Sequence, residues 1–80
     1  MFNSMTKEMR ERLSGKKVEN FNLNNFLKIG MSAWYLITEF RRRSIRDPRW
    51  TDEERKAVID EALSGDYHQL INTLQQYSND

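Results

Sequence analysis

The sequence predicts an all-α fold, a small compact bundle of about four helices formed by a single domain, residues 1–80. Apolar residues recur at intervals of three and four in four separate segments, which is the period of one helix face. No segment shows the strict alternation of apolar and polar residues that is typical of a strand. The four Phe, three Tyr and two Trp argue against a disordered chain, although 80 residues lie near the lower size limit for a self-sufficient core.

The first predicted helix runs from about residue 4 to residue 14. Ser4 can cap its N-terminus, and Gly15 is placed to end it. One face carries apolar residues at intervals of four: Met5, Met9 and Leu13. The stretch that follows, "GKKVEN", is predicted to be a polar connector.

The second predicted helix is the longest and the central one, from Leu23 to about Ile45, with Asn22 as its N-cap. Its apolar stripe consists of Phe26, Gly30, Ala33, Ile37 and Phe40, and is widened by Leu27, Met31, Trp34 and Leu36. A stripe this broad predicts contact with two neighbouring helices. Gly30 costs about 1 kcal/mol of helix propensity relative to Ala, which close helix packing or a soft kink would explain.

Asp47-Pro48 then interrupts the helix, because the residue before a proline is disfavoured in helical geometry. Thr51 and Glu54 form a capping-box pattern, "TDEE", whose acids also suit a helix N-terminus. The third predicted helix follows, from Asp52 to about Leu63. Its inward residues are predicted to be Val58, Ile59, Ala62 and Leu63.

The stretch "SGD" turns the chain, and Asp66 caps a fourth predicted helix that reaches about Tyr77. The inner face of this helix is predicted to consist of Tyr67, Leu70, Ile71, Leu74 and Tyr77. With short connections between all the helices, a compact bundle is the expected architecture.

The composition narrows the class of protein. Without cysteine there are no disulfides and no zinc-thiolate site, which is typical of a reducing compartment. The N-terminus lacks a continuous apolar run, and the most apolar stretch, Ile29 to Phe40, is too short to span a bilayer. We therefore expect a soluble, cytoplasmic protein.

The residues offer little catalytic chemistry. His68 is the only histidine, and a lone helix histidine is most often a surface or boundary residue. The acid pairs Glu53/Glu54 and Asp60/Glu61 are sequence neighbours, which point about 100° apart on a helix and do not converge. The three glycines are isolated and form no phosphate-binding loop. The sequence predicts a protein that is not an enzyme and carries no cofactor or metal.

Charge is distributed unevenly along the chain. The formal net charge is +1, but residues 41–49 hold five Arg and one Asp, whereas residues 50–80 hold two basic and seven acidic residues. The basic stretch "EFRRRSIRDPRW" therefore precedes an acidic C-terminal part. Such an asymmetry indicates a dipolar surface rather than a generally basic protein.

Three interpretations of this stretch stay open. The arginines can stabilise the C-terminus of the second helix, and Arg46 and Arg49 can pair with the acids that begin the third. Alternatively, the stretch can bind an acidic or aromatic protein surface, because Arg and Trp often dominate interface energetics. The candidate partner-binding residues are then Arg42, Arg43, Arg46, Arg49, Trp50 and Trp34.

Nucleic-acid binding is the third interpretation, since arginines can neutralise phosphates and Trp34, Tyr35 or Trp50 can stack on bases. The pI of about 8.1 counts against it. So does the last helix, "DYHQLINTLQQY", which lacks the arginine or lysine expected of a recognition helix.

Two stretches, "MFNSMTKEMRERLSGKK" and "MSAWYLITEFRRRSIRDPRW", give the chain a resemblance to the lysis-inhibition accessory proteins of T-even-type bacteriophages, the third rapid-lysis protein. The resemblance lies in the size of the protein, its helical character and the general look of the sequence, and it covers most of the chain. It implies a small cytoplasmic helical protein that delays lysis by binding the cytoplasmic N-terminal part of the phage holin and that assists the periplasmic antiholin. It brings no catalytic residues.

A second, local resemblance is carried by "TDEERKAVIDEALSG" and the terminal "YSND", which are similar to the C-terminal part of the T-even anti-sigma factor. It covers about a third of the chain. The sigma contacts of that family lie largely in its N-terminal half, which has no counterpart here, so no sigma-binding residue is implied.

These observations favour a small phage protein that acts by binding another protein. The leading hypothesis is lysis inhibition through the cytoplasmic segment of the holin, near the inner membrane. The alternatives are a transcription regulator that binds RNA polymerase or its sigma subunit, and a nucleic-acid-binding protein. The arginines could also contact anionic lipid, and Trp34 or Phe40 could lie in a homodimer interface.

Overall fold

Five α-helices joined by turns and short loops form the computed structural model, which describes residues 5–79. They are α1 (Lys7–Leu13), α2 (Leu23–Lys28), α3 (Ala33–Ile45), α4 (Asp52–Ala62) and α5 (Tyr67–Gln75). The all-α fold class is confirmed, and within the described range there is no strand. The radius of gyration of 11.7 Å agrees with the roughly 11.6 Å expected of a compact chain of this length.

The predicted long central helix is two helices, α2 and α3, which meet at Gly30. Gly30 has a φ of 75°, and the N–H groups of Gly30 and Met31 donate to the carbonyls of Leu27 and Phe26. This pair of bonds is a Schellman motif, the helix ending that needs a left-handed residue. Ser32 then caps α3 by accepting from the N–H of Tyr35. Close packing at Gly30 is not found, because an added Cβ would meet nothing within 4 Å, and in place of a soft kink the helix stops and restarts. The longest helix of the described residues has 13 residues.

The first helix is shorter than predicted. α1 begins after Thr6, whose Oγ1 accepts from the N–H of Met9 at 3.1 Å. The predicted cap, Ser4, lies outside the described residues. Of the predicted apolar face, Met5 and Leu13 are buried and Met9 is partly buried against the core.

The predicted caps of the last two helices are confirmed. At the start of α4, Thr51 Oγ1 accepts from the N–H of Glu54 at 3.1 Å, and Glu54 Oε1 accepts from the N–H of Thr51 at 3.0 Å. Asp66 caps α5 by accepting from the N–H of Gln69 at 3.0 Å. α5 ends at Gln75, two residues before its predicted end.

The core is organised around aromatic rings from four different parts of the chain. Phe40 packs edge-on against Trp50 with ring centroids 5.5 Å apart, and Trp50 packs edge-on against Tyr77 at 5.6 Å. Phe21 approaches Phe40 at 5.6 Å. Edge-to-face pairs of this kind stabilise beyond the area that they bury.

Three side chains predicted to face inward are instead exposed: Trp34 at 70%, Leu63 at 53% and Tyr67 at 49%. Each lies within one turn of a helix end or just beyond it. Phe40, in contrast, is fully buried, which excludes it from any homodimer interface of the folded chain.

The predicted polar connector, residues 15–20, is largely exposed as expected, but its Val18 and the following Phe21 are anchored in the core. We define the connector as residues 16–22. Its Val18 and Phe21 have no exposed surface. The N–H of Val18 donates to the carbonyl of Tyr77 at 2.9 Å, and the N–H of Asn79 donates to the carbonyl of Phe21 at 2.8 Å. The connector and the C-terminal residues therefore hold each other in place.

None of the helices found in residues 5–79 combines the length and the apolar character needed to cross a bilayer.

Candidate partner-binding surface

Asp47 lies at the centre of the arginine-rich corner between α3 and α4. Its carboxylate accepts from Arg49 Nη2 at 2.7 Å and Nε at 3.0 Å, and from the backbone N–H of Arg49 and of Glu19. The side-chain hydrogen bonds from Arg49 hold the pKa of Asp47 well below its usual range, although burial opposes them. The Arg49 guanidinium is thus bound to Asp47, and its Nη2 also donates to the carbonyl of Lys17.

Arg43 and Trp50 also hold the connector. Arg43 donates to the carbonyl of Asn20 and, through Nε, to Glu39 at 2.9 Å. Trp50 is only 4% exposed, and its Nε1 donates to the carbonyl of Lys17 at 3.0 Å. Trp50 is therefore a core residue, and its predicted place on a binding surface is corrected. These contacts give Arg43 and Trp50 a structural role.

The acids that begin α4 are not neutralised by the predicted partners, Arg46 and Arg49. Instead Arg12 lies 3.2 Å from both Glu53 and Glu54, and Lys16 lies 2.8 Å from Glu54. Burial raises the pKa of Glu54, but the hydrogen bonds from Lys16 and the N–H of Thr51, with the charges of Lys16 and Arg12, outweigh it, so the pKa is lowered. These cations come from α1 and the turn after it.

Arg55 is a structural residue that the sequence patterns did not single out. It is buried, and its guanidinium donates to Ser44 Oγ at 2.9 Å, to the Ser44 carbonyl at 3.1 Å and to the Trp50 carbonyl at 3.4 Å. It also pairs with Asp52 at 2.6 Å. The spacing of three residues signals the pair with Asp52, but no local pattern signals the contact with α3.

One face of α3 remains open after these contacts are assigned. We call it the α3 outer face, and it consists of Trp34, Tyr35, Thr38, Arg41, Arg42, Ile45 and Arg46. Trp34 is 70%, Ile45 60% and Tyr35 50% exposed. The helical period of 3.6 residues places all seven on one side, opposite the buried Leu36, Ile37 and Phe40.

The α3 outer face is positively charged and carries no exposed acid. Within residues 5–79, Arg41 and Arg46 make no ion pair. Arg42 reaches Glu39 only at 3.5 Å. Glu39 is the one acid of α3, and it is buried. Three arginines therefore face solvent with their charge largely unpaired.

Two shallow grooves flank this face. One, of about 320 Å³, is lined by Trp34, Tyr35, Thr38, Glu39 and Arg42. The other, of about 480 Å³, lies between α3 and α4 and is lined by Arg41, Ile45, Asp52, Arg55, Lys56, Ile59 and Asp60. The first groove combines two aromatic rings with the Arg42 guanidinium and the buried Glu39 carboxylate, which lie 3.5 Å apart.

Of the six predicted partner-binding residues, the structure brings three together on the α3 outer face: Trp34, Arg42 and Arg46. The other three, Arg43, Arg49 and Trp50, are tied to the connector. Tyr35, Arg41 and Ile45 belong to the surface as well. Arg41 and Ile45 follow Trp34 at i+7 and i+11, which is helical spacing, and Tyr35 lies beside Trp34 on the side opposite the buried residues.

The rest of the described chain offers no arranged metal ligands. Within residues 5–79, no group of three or more His, Asp or Glu side chains is placed to hold a metal ion. His68 is exposed near the start of α5.

Comparison with known proteins gives no relative: no protein-family model, no curated protein and no solved structure matches this chain.

Proposed function

We propose that the protein is a small phage regulator that delays lysis by binding the cytoplasmic segment of the holin through the α3 outer face. The observation that carries the proposal is the cluster of solvent-facing arginines beside exposed Trp34 and Tyr35, with no exposed acid among them. Aromatic residues and arginine are enriched at the energetic centres of protein interfaces.

The choice of partner rests on the sequence resemblance to the lysis-inhibition accessory proteins. The stretch "MSAWYLITEFRRRSIRDPRW" contains the whole of α3. The open surface and the resemblance thus coincide in the same part of the chain. A cytoplasmic protein that acts on a membrane protein's soluble segment needs a docking surface of this kind and no catalytic group.

The test is a binding titration against the soluble N-terminal segment of the phage holin. We expect Trp34→Ala combined with Arg42→Glu and Arg46→Glu to weaken binding by at least about tenfold, because the variant removes the aromatic contact and reverses two charges. The matched control is Tyr67→Ala combined with Lys7→Glu and Lys28→Glu, which makes the same charge change at exposed positions elsewhere.

Two outcomes would contradict the proposal. If the wild-type protein does not bind the holin segment, the proposed function is wrong. If the α3 variant and its control lose affinity equally, binding depends on net charge and the assignment of the surface is wrong.

The alternative partner is RNA polymerase or its sigma subunit. The local resemblance to the anti-sigma factor falls on α4 and the C-terminal residues, where the capping box and the buried Tyr77 lie. Native co-purification from infected cells separates the two candidates: polymerase without holin favours transcription control, and holin without polymerase favours lysis control.

A further inference from the structure

The positions of the apolar and basic side chains on the α3 outer face indicate which side chains a partner would need. Its apolar groups lie at the two ends, with Trp34 and Tyr35 near the N-terminus of α3 and Ile45 at its C-terminus. Ile45 is eleven positions after Trp34, a distance of about 16 Å along a helix axis. Arg41 and Arg42 lie between the two ends.

We infer that this face binds one amphipathic helix of an acidic partner, laid along α3, with two apolar side chains about eleven residues apart and acidic side chains between them. On a helix, positions i and i+11 are about 16 Å apart and differ by only about 20° in direction, so both can reach the same surface. The inference rests on the proposed function because both take a protein as the partner. It does not require that this protein is the holin.

Charge complementarity identifies the occupant as acidic. The acids of α4 are already engaged, because Glu53 and Glu54 pair with Arg12 and Asp60 pairs with Lys56. The fold therefore neutralises these acids internally, whereas among the described residues Arg41 and Arg46 make no ion pair and Arg42 reaches Glu39 only at 3.5 Å. Acidic side chains of a partner would therefore meet guanidinium groups that the fold leaves largely unpaired, which gives electrostatic complementarity.

The same layout selects a helix over other occupants. The described residues offer no sheet edge to which an extended segment could add as a strand. A membrane-inserting face needs a continuous apolar stripe, whereas here the arginines separate the apolar ends. One turn of an acidic amphipathic helix would place an apolar side chain against Trp34 and Tyr35 in the first groove. It would place a carboxylate near Arg42, whose contact with the buried Glu39 in the same groove is long, at 3.5 Å.

The test uses two synthetic helical peptides of identical composition. Both carry two leucines and a set of glutamates; in the first the leucines are eleven residues apart on the glutamate face, and in the second one leucine is moved by two positions, about 200° around the helix. We expect the first peptide to bind at least about tenfold more tightly than the second, because only it can fill both ends of the face.

The protein variants have close matches elsewhere on the surface. Tyr35→Ala and Ile45→Ser should each weaken the first peptide severalfold. Tyr67→Ala and Leu63→Ser, at side chains of nearly equal exposure, should not. Equal affinity for the two peptides, or equal losses in the two sets of variants, would overturn the inference.

Anionic lipid vesicles and a single-stranded oligonucleotide are the competing ligands for this basic face. Tighter binding to either of them than to the first peptide would also overturn the inference. The holin segment is titrated in parallel. Selective peptide binding without holin binding retains the inference and rejects the proposed function. Equal affinity for the two peptides, together with holin binding that is lost in the variant of Trp34, Arg42 and Arg46, rejects the inference and retains the proposed function.

Discussion

At the scale of single residues, three consecutive arginines have different roles. Arg41, Arg42 and Arg43 point about 100° apart on α3, so Arg43 reaches the connector, Arg42 lies over Glu39 and Arg41 faces solvent. Composition identifies the cluster as basic, but a side chain's role depends on which way the helix is turned. That rotation is set by the buried Leu36, Ile37 and Phe40.

Asp47 supports a prediction at this scale. Its pKa is lowered on folding, first by the hydrogen bonds from Arg49, so its contribution to stability is complete above the unfolded-state pKa of about 4 and declines as pH falls below that value. Asp47→Asn should destabilise the protein by about 2 kcal/mol at pH 7, because it removes charge-assisted hydrogen bonds. Urea unfolding of both proteins at neutral and acidic pH measures the difference, which should shrink toward pH 3. A difference that stays constant with pH would show that the Asp47 charge does not contribute.

At the scale of the helices, Gly30 decides where one helix stops and the next begins. An added Cβ would meet nothing within 4 Å, but φ is +75°. The cost of a substitution is therefore conformational rather than steric. The stretch "GMS" contains both signals, a glycine in a helix-ending position and a serine cap two residues later. The helical spacing of the apolar residues continues without a change across Gly30. For this reason periodicity alone predicts one long helix.

Gly30→Ala should accordingly destabilise the protein by about 1 kcal/mol, since a left-handed conformation is unfavourable for residues with a Cβ. Gly30→Asn should cost less, because asparagine visits this region more readily. Thermal unfolding of the two variants and the wild type provides the comparison. If Gly30→Ala is more stable than the wild type, residues 23–45 form a continuous helix in solution and the division into α2 and α3 is wrong.

At the scale of the whole molecule, the connector and the C-terminal residues close the fold. Leu23 N–H donates to Ser78 Oγ at 2.9 Å, and the Ser78 hydroxyl donates to the carbonyl of Phe21 at 3.3 Å. Tyr77 is buried against Trp50 and Phe40, and burial raises the pKa of its hydroxyl. These contacts join the C-terminal residues to the connector, to the first residue of α2 and to the aromatic core.

Deletion of residues 77–80 should abolish cooperative unfolding. Removing a buried aromatic side chain costs about 3–5 kcal/mol, which is comparable to the entire stability of a chain this short. Ser78→Ala, which removes only the hydroxyl contacts, should retain a cooperative transition and lose about 1–2 kcal/mol. Circular dichroism during thermal unfolding measures both. A truncated protein that unfolds as sharply as the wild type would show that the C-terminal residues are dispensable.

The sequence by itself determined the helical class, the capping box at Thr51, the cap at Asp66 and the basic character of the α3 end. These features depend on side chains within a few residues of one another, so their signals are local. Only the tertiary structure decided that Val18 and Phe21 of the connector are buried, that Trp50 is a core residue and that Arg12 and Lys16 neutralise acids of α4. These outcomes depend on contacts between segments far apart in the chain, such as Trp50 with Lys17 and Val18 with Tyr77. Local sequence carries no signature of such contacts. These long-range contacts decide which arginines remain free to bind a partner.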